Sequence, residues 1–244
     1  GAIYILSIYG QDLPDHKGLG TYAPPVMTRV YAADGRLLQE YAIEGRIFVP
    51  IAAIPQRVID AFVAAEDQNF YTHHGVDPLG ILRAVFTAVG ERLRGDAGRI
   101  KGTSTITQQV AQNFLLRKEY KFSRKIREAI LSTRLEGAFT KDHILELYLN
   151  QIYLGYGSYG VAAAAVNYFN KSLEELTLSE IAFLAGLPKG PNNYNPKTRQ
   201  DAARERRDYV LGRLRDDGYV STAEIDAAKK DVFEVRERDA NQVT

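Results

Sequence analysis

The chain has no cysteine. That excludes a disulfide framework and a thiolate zinc site, although it does not choose between an oxidising space and the cytosol. Charge of one sign is also missing: 31 basic residues face 30 acidic ones, a net charge of +1. Bulk charge therefore argues for no particular partner, and any basic site must be local. There is no internal repeat and no low-complexity tract. The N-terminal apolar run, Ala2 to Tyr9, is short. As a helix, about ten residues reach only about 15 Å, roughly half a bilayer core. The run reads either as a buried terminal segment or as the outer end of a membrane anchor. What is present is ordinary globular material: 244 residues, 45% hydrophobic and 25% charged, enough for one large domain with a small appendage.

Residues 10–25 are rich in Gly, Pro, Asp and His and read as a linker. Two apolar runs, Met27 to Ala32 and Leu37 to Ala42, flank Asp34-Gly35, a hairpin signal. An isolated hairpin is marginal in water, so a third strand is expected, with Val232 to Arg236 as the candidate. From Pro55 to about Lys230 the apolar spacing is helical, as in Val58-Phe62-Ala65, Ile81-Val85-Val89 and Ile106-Val110-Phe114. Ser123, Thr140 and Thr177 are candidate helix caps, Pro188 a stop, and Asp201 to Gly218 a charged amphipathic helix ending at glycine. The fold class is mainly α.

Five stretches carry possible chemistry. In the first, Glu66-Asp67 leaves the apolar turn Ala61 to Ala65 and enters a polar loop with Phe70, His73, His74 and Gly75. A carboxylate against apolar walls favours its neutral form, which suits proton transfer; a solvated helix end is the plainer alternative. His73, His74 and Asp77 can also be read as metal ligands, but no third strong ligand has a telling spacing. In the second stretch, Lys101 to Gln109, a glycine and three hydroxyl residues precede an apolar helix. Free N–H groups there suit an anion, while Thr105 and Gln108 have capping-box spacing.

The third stretch, Arg117 to Glu128, places six basic residues within eleven positions, 117–127, of a nearly neutral chain. Arg124 and Glu128 stand in the weaker order for an i,i+4 pair, so helix stabilisation is a poor reason for them. A basic cluster around one acid suits a pyrophosphate leaving group. Nucleic acid is not indicated, because no basic stripe continues elsewhere. The fourth stretch, Gly155 to Gly160, matches G-x-G-x-x-G, yet a helical run precedes it rather than a strand. It therefore reads as a tight turn between helices, not a nucleotide site. The fifth, Leu184 to Pro196, is locally a helix stop followed by turns.

In this order the five stretches resemble the motifs of the peptidoglycan glycosyltransferases, glycosyltransferase family 51, found in the N-terminal half of class A penicillin-binding proteins. Glu66 to Gly75 is similar to E-D-x-x-F-x-x-H-x-G, Gly102 to Gln109 to G-x-S-T-x-x-Q-Q, and Arg124 to Glu128 to R-K-x-x-E, while Ile144 to Gly160 and Leu184 to Pro196 resemble the remaining two. The resemblance runs from about residue 50 to 218. It implies a lysozyme-like α fold with a membrane-facing apolar lobe and a small β-hairpin appendage, divided as anchor end 1–10, linker and hairpin 11–49, glycosyltransferase domain 50–230 and linker start 231–244.

It also implies lipid II and a growing glycan strand as substrates, with Glu66 as general base and Glu128 on the pyrophosphate side. Asp67, Phe70, Ser104, Thr105, Gln108, Gln109, Lys121, Arg124, Lys125 and Asn150 would meet the substrate, and His73, Gly75 and Gly102 would support the site. No cofactor is certain; a divalent metal, Mg or Mn, is compatible. The setting would be the outer side of the cytoplasmic membrane, with one N-terminal anchor and a transpeptidase domain fused in the full protein. No Ser-x-x-Lys motif occurs here, so penicillin binding is not expected of these residues.

Three positions depart from the family pattern. Gln112 stands where many members are basic, Tyr120 where many have arginine, and Thr103 where glycine is frequent. Lys121, Lys118 or Arg117 would compensate. A lysozyme-like glycan hydrolase and a catalytically silent lipid II-binding scaffold are the competing functions.

Overall fold

A computed structural model describes residues 45–94, 104–115 and 121–231, the strand pair 28–31 and 37–41, and positions 13, 18, 19 and 235. The run Ala2 to Tyr9, most of the linker, Gly102, Thr103, Tyr120 and the expected C-terminal strand apart from Val235 lie outside the described residues. In chain order come β1 (Thr28–Tyr31), β2 (Leu37–Tyr41), β3 (Gly45–Arg46) and helices α1 (Gln56–Glu66), α2 (Pro78–Leu93), α3 (Ile106–Leu115), α4 (Lys121–Ala138) and α5 (Lys141–Gln151). Then follow β4 (Ser158–Tyr159), α6 (Val161–Phe169), α7 (Leu178–Gly186), α8 (Gln200–Asp216) and α9 (Thr222–Lys230). The mainly α expectation holds. Two compact units divide the chain, one of Gly1–Tyr22 and Glu66–Tyr148, the other of Ala23–Ala65 and Leu149–Thr244.

In the second of these units the core is built on α7, buried from Ser179 to Gly186 and packed along α8, which buries Ala203, Val210, Leu211 and Leu214. Each large aliphatic side chain so removed from water contributes roughly 1.5–3 kcal/mol. Thr177 caps α7 in a reciprocal box with Glu180, and Pro188 lies in the 3-10 turn that ends the helix, as the sequence predicts. Beyond α8 comes Gly218, at φ +79°, the left-handed stop a glycine supplies. The hairpin forms with Arg29 opposite Glu40 and Val30 opposite Gln39, with an irregularity before Tyr31. The glycine run after α5 makes the expected turn, with Gly155, Tyr156, Gly157 and Gly160 at positive φ, and also carries the two-residue strand β4, which pairs with β3 in parallel. A Cβ at Gly160 would stand 2.8 Å from the Asn150 carbonyl oxygen.

The other unit carries α2 to α4 and most of α5. Asp77 caps α2, accepting from the Gly80 N–H at 2.9 Å, and Pro78 opens it. Burial raises the Asp77 carboxyl, but the Gly80 N–H and the Asn69 amide outweigh it and hold the group below the usual carboxylate range. Helix α4 starts at Lys121, half a turn before the expected Ser123 cap, so Ser123 lies inside the first turn. Phe122 and Ile126 extend the helical apolar spacing back to that point. Thr140 does cap α5, with Oγ1 accepting from the His143 N–H at 3.3 Å.

The loop after Glu66 approaches α4 at Gly75, where φ is +88° and any Cβ would stand 2.6 Å from the Ser132 carbonyl. Gly75→Ala is therefore expected to cost at least about 2 kcal/mol from strain alone. A chemical denaturation midpoint equal to the parent's would contradict this.

Candidate active site

Glu66 is the last residue of α1, following a turn in which Phe62, Val63 and Ala64 are buried, and it is itself half-buried. Its Oε2 accepts a hydrogen bond from Gln109 Nε2 at 3.0 Å. Asp67 is buried and accepts from the Ile106 N–H at 2.9 Å, at the very start of α3. The same carboxylate faces His73 Nε2 at 2.9 Å. His73 Nδ1 accepts from the Gly75 N–H at 3.1 Å. A backbone N–H can only donate, so the imidazole proton belongs on Nε2, where it donates to Asp67.

Both readings of the α3 start are answered from within the chain. Thr105 Oγ1 accepts from the Gln108 N–H at 3.1 Å while Gln108 Oε1 accepts from the Thr105 N–H at 3.0 Å, a complete capping box. The anion at this N-terminus is Asp67.

The cationic side of the site lies on the next helix. Glu128 on α4 is fully buried, with Lys125 Nζ at 2.6 Å from Oε2 and Arg124 Nε at 3.2 Å from Oε1. Lys125 also donates to Ser104 Oγ at 3.0 Å. Its side chain is 50% exposed and that of Arg124 29%. Two cations thus reach toward solvent from one buried acid. Glu66 and this cluster are both tied to the same stretch, Gln109 holding one and Ser104 meeting the other.

Several residues expected to meet substrate are buried. Phe70 is fully buried, edge-on to Tyr71 and under Lys141 Nζ at 4.5 Å. Thr105 donates to the Gly75 carbonyl at 2.7 Å, and Asp67, Thr105 and Gln108 spend their polar atoms on the loop and the helix cap. Asn150, in the other unit, is buried and bonded to both the N–H and the carbonyl of Val49 at 2.8 and 2.9 Å. Asp67, Thr105, Gln108 and Asn150 thereby brace the backbone. Ser104, Gln109, Arg124 and Lys125 keep accessible positions. Gly102 and the Lys121 side chain lie outside the described residues.

Sequence reasoning missed Tyr148, Glu136 and Lys141. Tyr148 is buried on α5; burial first, then the Glu66 and Asp67 charges, push its hydroxyl well above the usual tyrosine range. Its place in Ile144-Leu147-Tyr148 signals only core. Lys141 donates to the His73 carbonyl at 2.8 Å and to Glu136 Oε1 at 2.7 Å, contacts no local pattern announces.

The donor set among the described residues does not fit a divalent metal held by the protein. Both Glu128 oxygens face cations. His73 is bonded to Asp67 and Gly75, and Asp77 caps α2. Among the described residues no three acid or histidine side chains converge.

A family model described as Transglycosylase matches residues 34–215. Penicillin-binding protein 1A of Rickettsia bellii is 52% identical over 242 residues, 98% of this chain and 30% of that protein. The protein of the same name from Escherichia coli is 46% identical over 234 residues, 96% of this chain and 27% of that one. The crystal structure of penicillin-binding protein 1A from Haemophilus influenzae aligns with a TM-score of 0.50 and 32% identity, covering 89% of this chain and 22% of that chain. The chain thus spans less than a third of the length of these relatives. With three quarters of its length matched by the family model, the chain belongs to the transglycosylase family, the peptidoglycan glycosyltransferases.

Proposed function

We propose that this chain polymerises lipid II into β-1,4-linked glycan by inverting transfer. Glu66 takes the proton from the acceptor's 4-hydroxyl as that oxygen bonds to the donor's anomeric carbon. The bond from that carbon to the pyrophosphate oxygen breaks, and the electron pair leaves with undecaprenyl pyrophosphate. Lys125 and Arg124 offset the charge that develops there. One observation carries the reading: a half-buried acid and a two-cation cluster are anchored to opposite ends of residues 104–109.

The same observation disfavours a hydrolase. Most glycan hydrolases use two carboxyl groups that act on the sugar, whereas Glu128 is fully buried between cations. Incubation with labelled lipid II and with purified glycan strands separates the two; strand cleavage without polymer formation would reject the transferase.

Helix α2 supports membrane contact. Leu79, Leu82, Phe86, Val89 and Leu93 form one stripe at helical spacing, and Phe86 is 68% and Leu93 84% exposed. No helix of the described residues is long and apolar enough to cross a membrane, so this one would lie in the interface. In the full protein, a catalytic domain over residues 50–230 would stand outside the cytoplasmic membrane beside a fused transpeptidase domain, with an N-terminal anchor. The double change Leu82→Ser and Phe86→Ser is expected to weaken vesicle binding at least tenfold, since each buried side chain is worth about 1.5–3 kcal/mol. Its thermal midpoint should be unchanged because neither side chain is core. Equal cosedimentation of variant and parent would rule the contact out.

A further inference from the structure

We infer that Lys141, through its pair with Glu136, is a positioning residue that keeps the His73 proton on Nε2 and so fixes the Asp67 support beside Glu66; this rests on the reading of Glu66 as the base. The loop from Asp67 to Gly75 is tied to the first turn of α3 at two places. Asp67 takes the Ile106 N–H. At the other end Lys141 Nζ holds the His73 carbonyl at 2.8 Å and Glu136 Oε1 at 2.7 Å, and Thr107 Oγ1 donates to that same oxygen at 2.6 Å. Gln109, in the turn that receives both ties, holds Glu66. Three helices and the loop thereby close one hydrogen-bonded frame around the base.

The charge of Lys141 matters beyond this framing. Glu136 Oε1 lies 4.0 Å from His73 Nδ1, and both side chains are about 5% exposed or less. With Lys141 beside it, Glu136 is balanced. Without that cation, Glu136 becomes an uncompensated negative charge next to Nδ1 and draws a proton there. A protonated Nδ1 cannot accept from the Gly75 N–H, so the turn that aims His73 at Asp67 is lost. A buried ion pair is in itself weak evidence of stability. Here it sets which ring nitrogen carries the proton.

The test uses Lys141→Gln, which removes the charge but keeps an amide donor, Lys141→Arg, which keeps both, and Glu66→Gln as the reference, each assayed for lipid II polymerisation. Lys141→Gln is expected to lower kcat at least tenfold with KM within about twofold, and Lys141→Arg to restore most of it. In 15N-histidine NMR the parent should show the His73 proton on Nε2 alone at neutral pH, and Lys141→Gln should shift it. A folded Lys141→Gln with parental kcat overturns the inference. So does a parent whose His73 carries its proton on Nδ1, a result that stands even if the variant does not fold. Activity surviving in Glu66→Gln instead removes the reading of the base and leaves the NMR result independent.

Discussion

Glu66→Gln is expected to lower lipid II turnover by about 100- to 10,000-fold, the range contributed by a positioned general base. The change is nearly isosteric. The carboxamide oxygen of the new side chain can still accept from Gln109, which now bonds the carboxylate at 3.0 Å, so the loop and the start of α3 should keep their places. Substrate affinity should change little, because the lost interaction develops as the acceptor hydroxyl gives up its proton. Neither Asp67 nor Tyr148 can take over. Asp67 is buried and committed to Ile106 and His73. The Tyr148 hydroxyl is raised well above the ordinary tyrosine range, first by burial and then by the two carboxylates; it stays protonated at any working pH and cannot accept a proton. The check is a single-turnover assay with labelled lipid II, alongside a thermal melt. A folded variant polymerising within tenfold of the parent would show that the proton leaves by another route.

What the sequence made legible divides along a physical line. Features written in adjacent residues were readable: the Thr140 and Thr177 caps, the glycine stop after α8, the hairpin, and the helix-to-helix turn at Gly155 to Gly160. Each depends on contacts within a few positions. Residue type within a motif could be read, but side-chain direction could not. Phe70, Thr105 and Asn150 lie in motif stretches, yet each is buried in the framework. Periodicity was ambiguous in the same way. The spacing of Ile81, Val85 and Val89 marks a helix face, and in α2 that face is exposed, with only Ala88 buried. Which side a stripe faces depends on partners distant in sequence. Lys141 was invisible for that reason, since its acceptor at His73 lies 68 positions away.

The second large effect is expected at Glu128. This side chain is fully buried and sits between Lys125 Nζ at 2.6 Å and Arg124 Nε at 3.2 Å. Glu128→Gln removes the charge that holds both cations in place while keeping the shape. Stability should fall by less than the roughly 3–5 kcal/mol of a fully buried broken pair, because Lys125 and Arg124 are 50% and 29% exposed and regain water. The activity loss should be larger: about 100- to 1,000-fold in kcat, comparable to removing one fixed donor from developing negative charge. Lys125→Ala should lose a similar factor, since it deletes the cation that Glu128 positions and breaks its contact with Ser104. If the acid and the lysine act as one device, the double variant should be only slightly worse than the poorer single one. Additive losses in that cycle, measured as kcat on folded protein, would mean that Glu128 and Lys125 act separately and that the leaving group is steadied elsewhere.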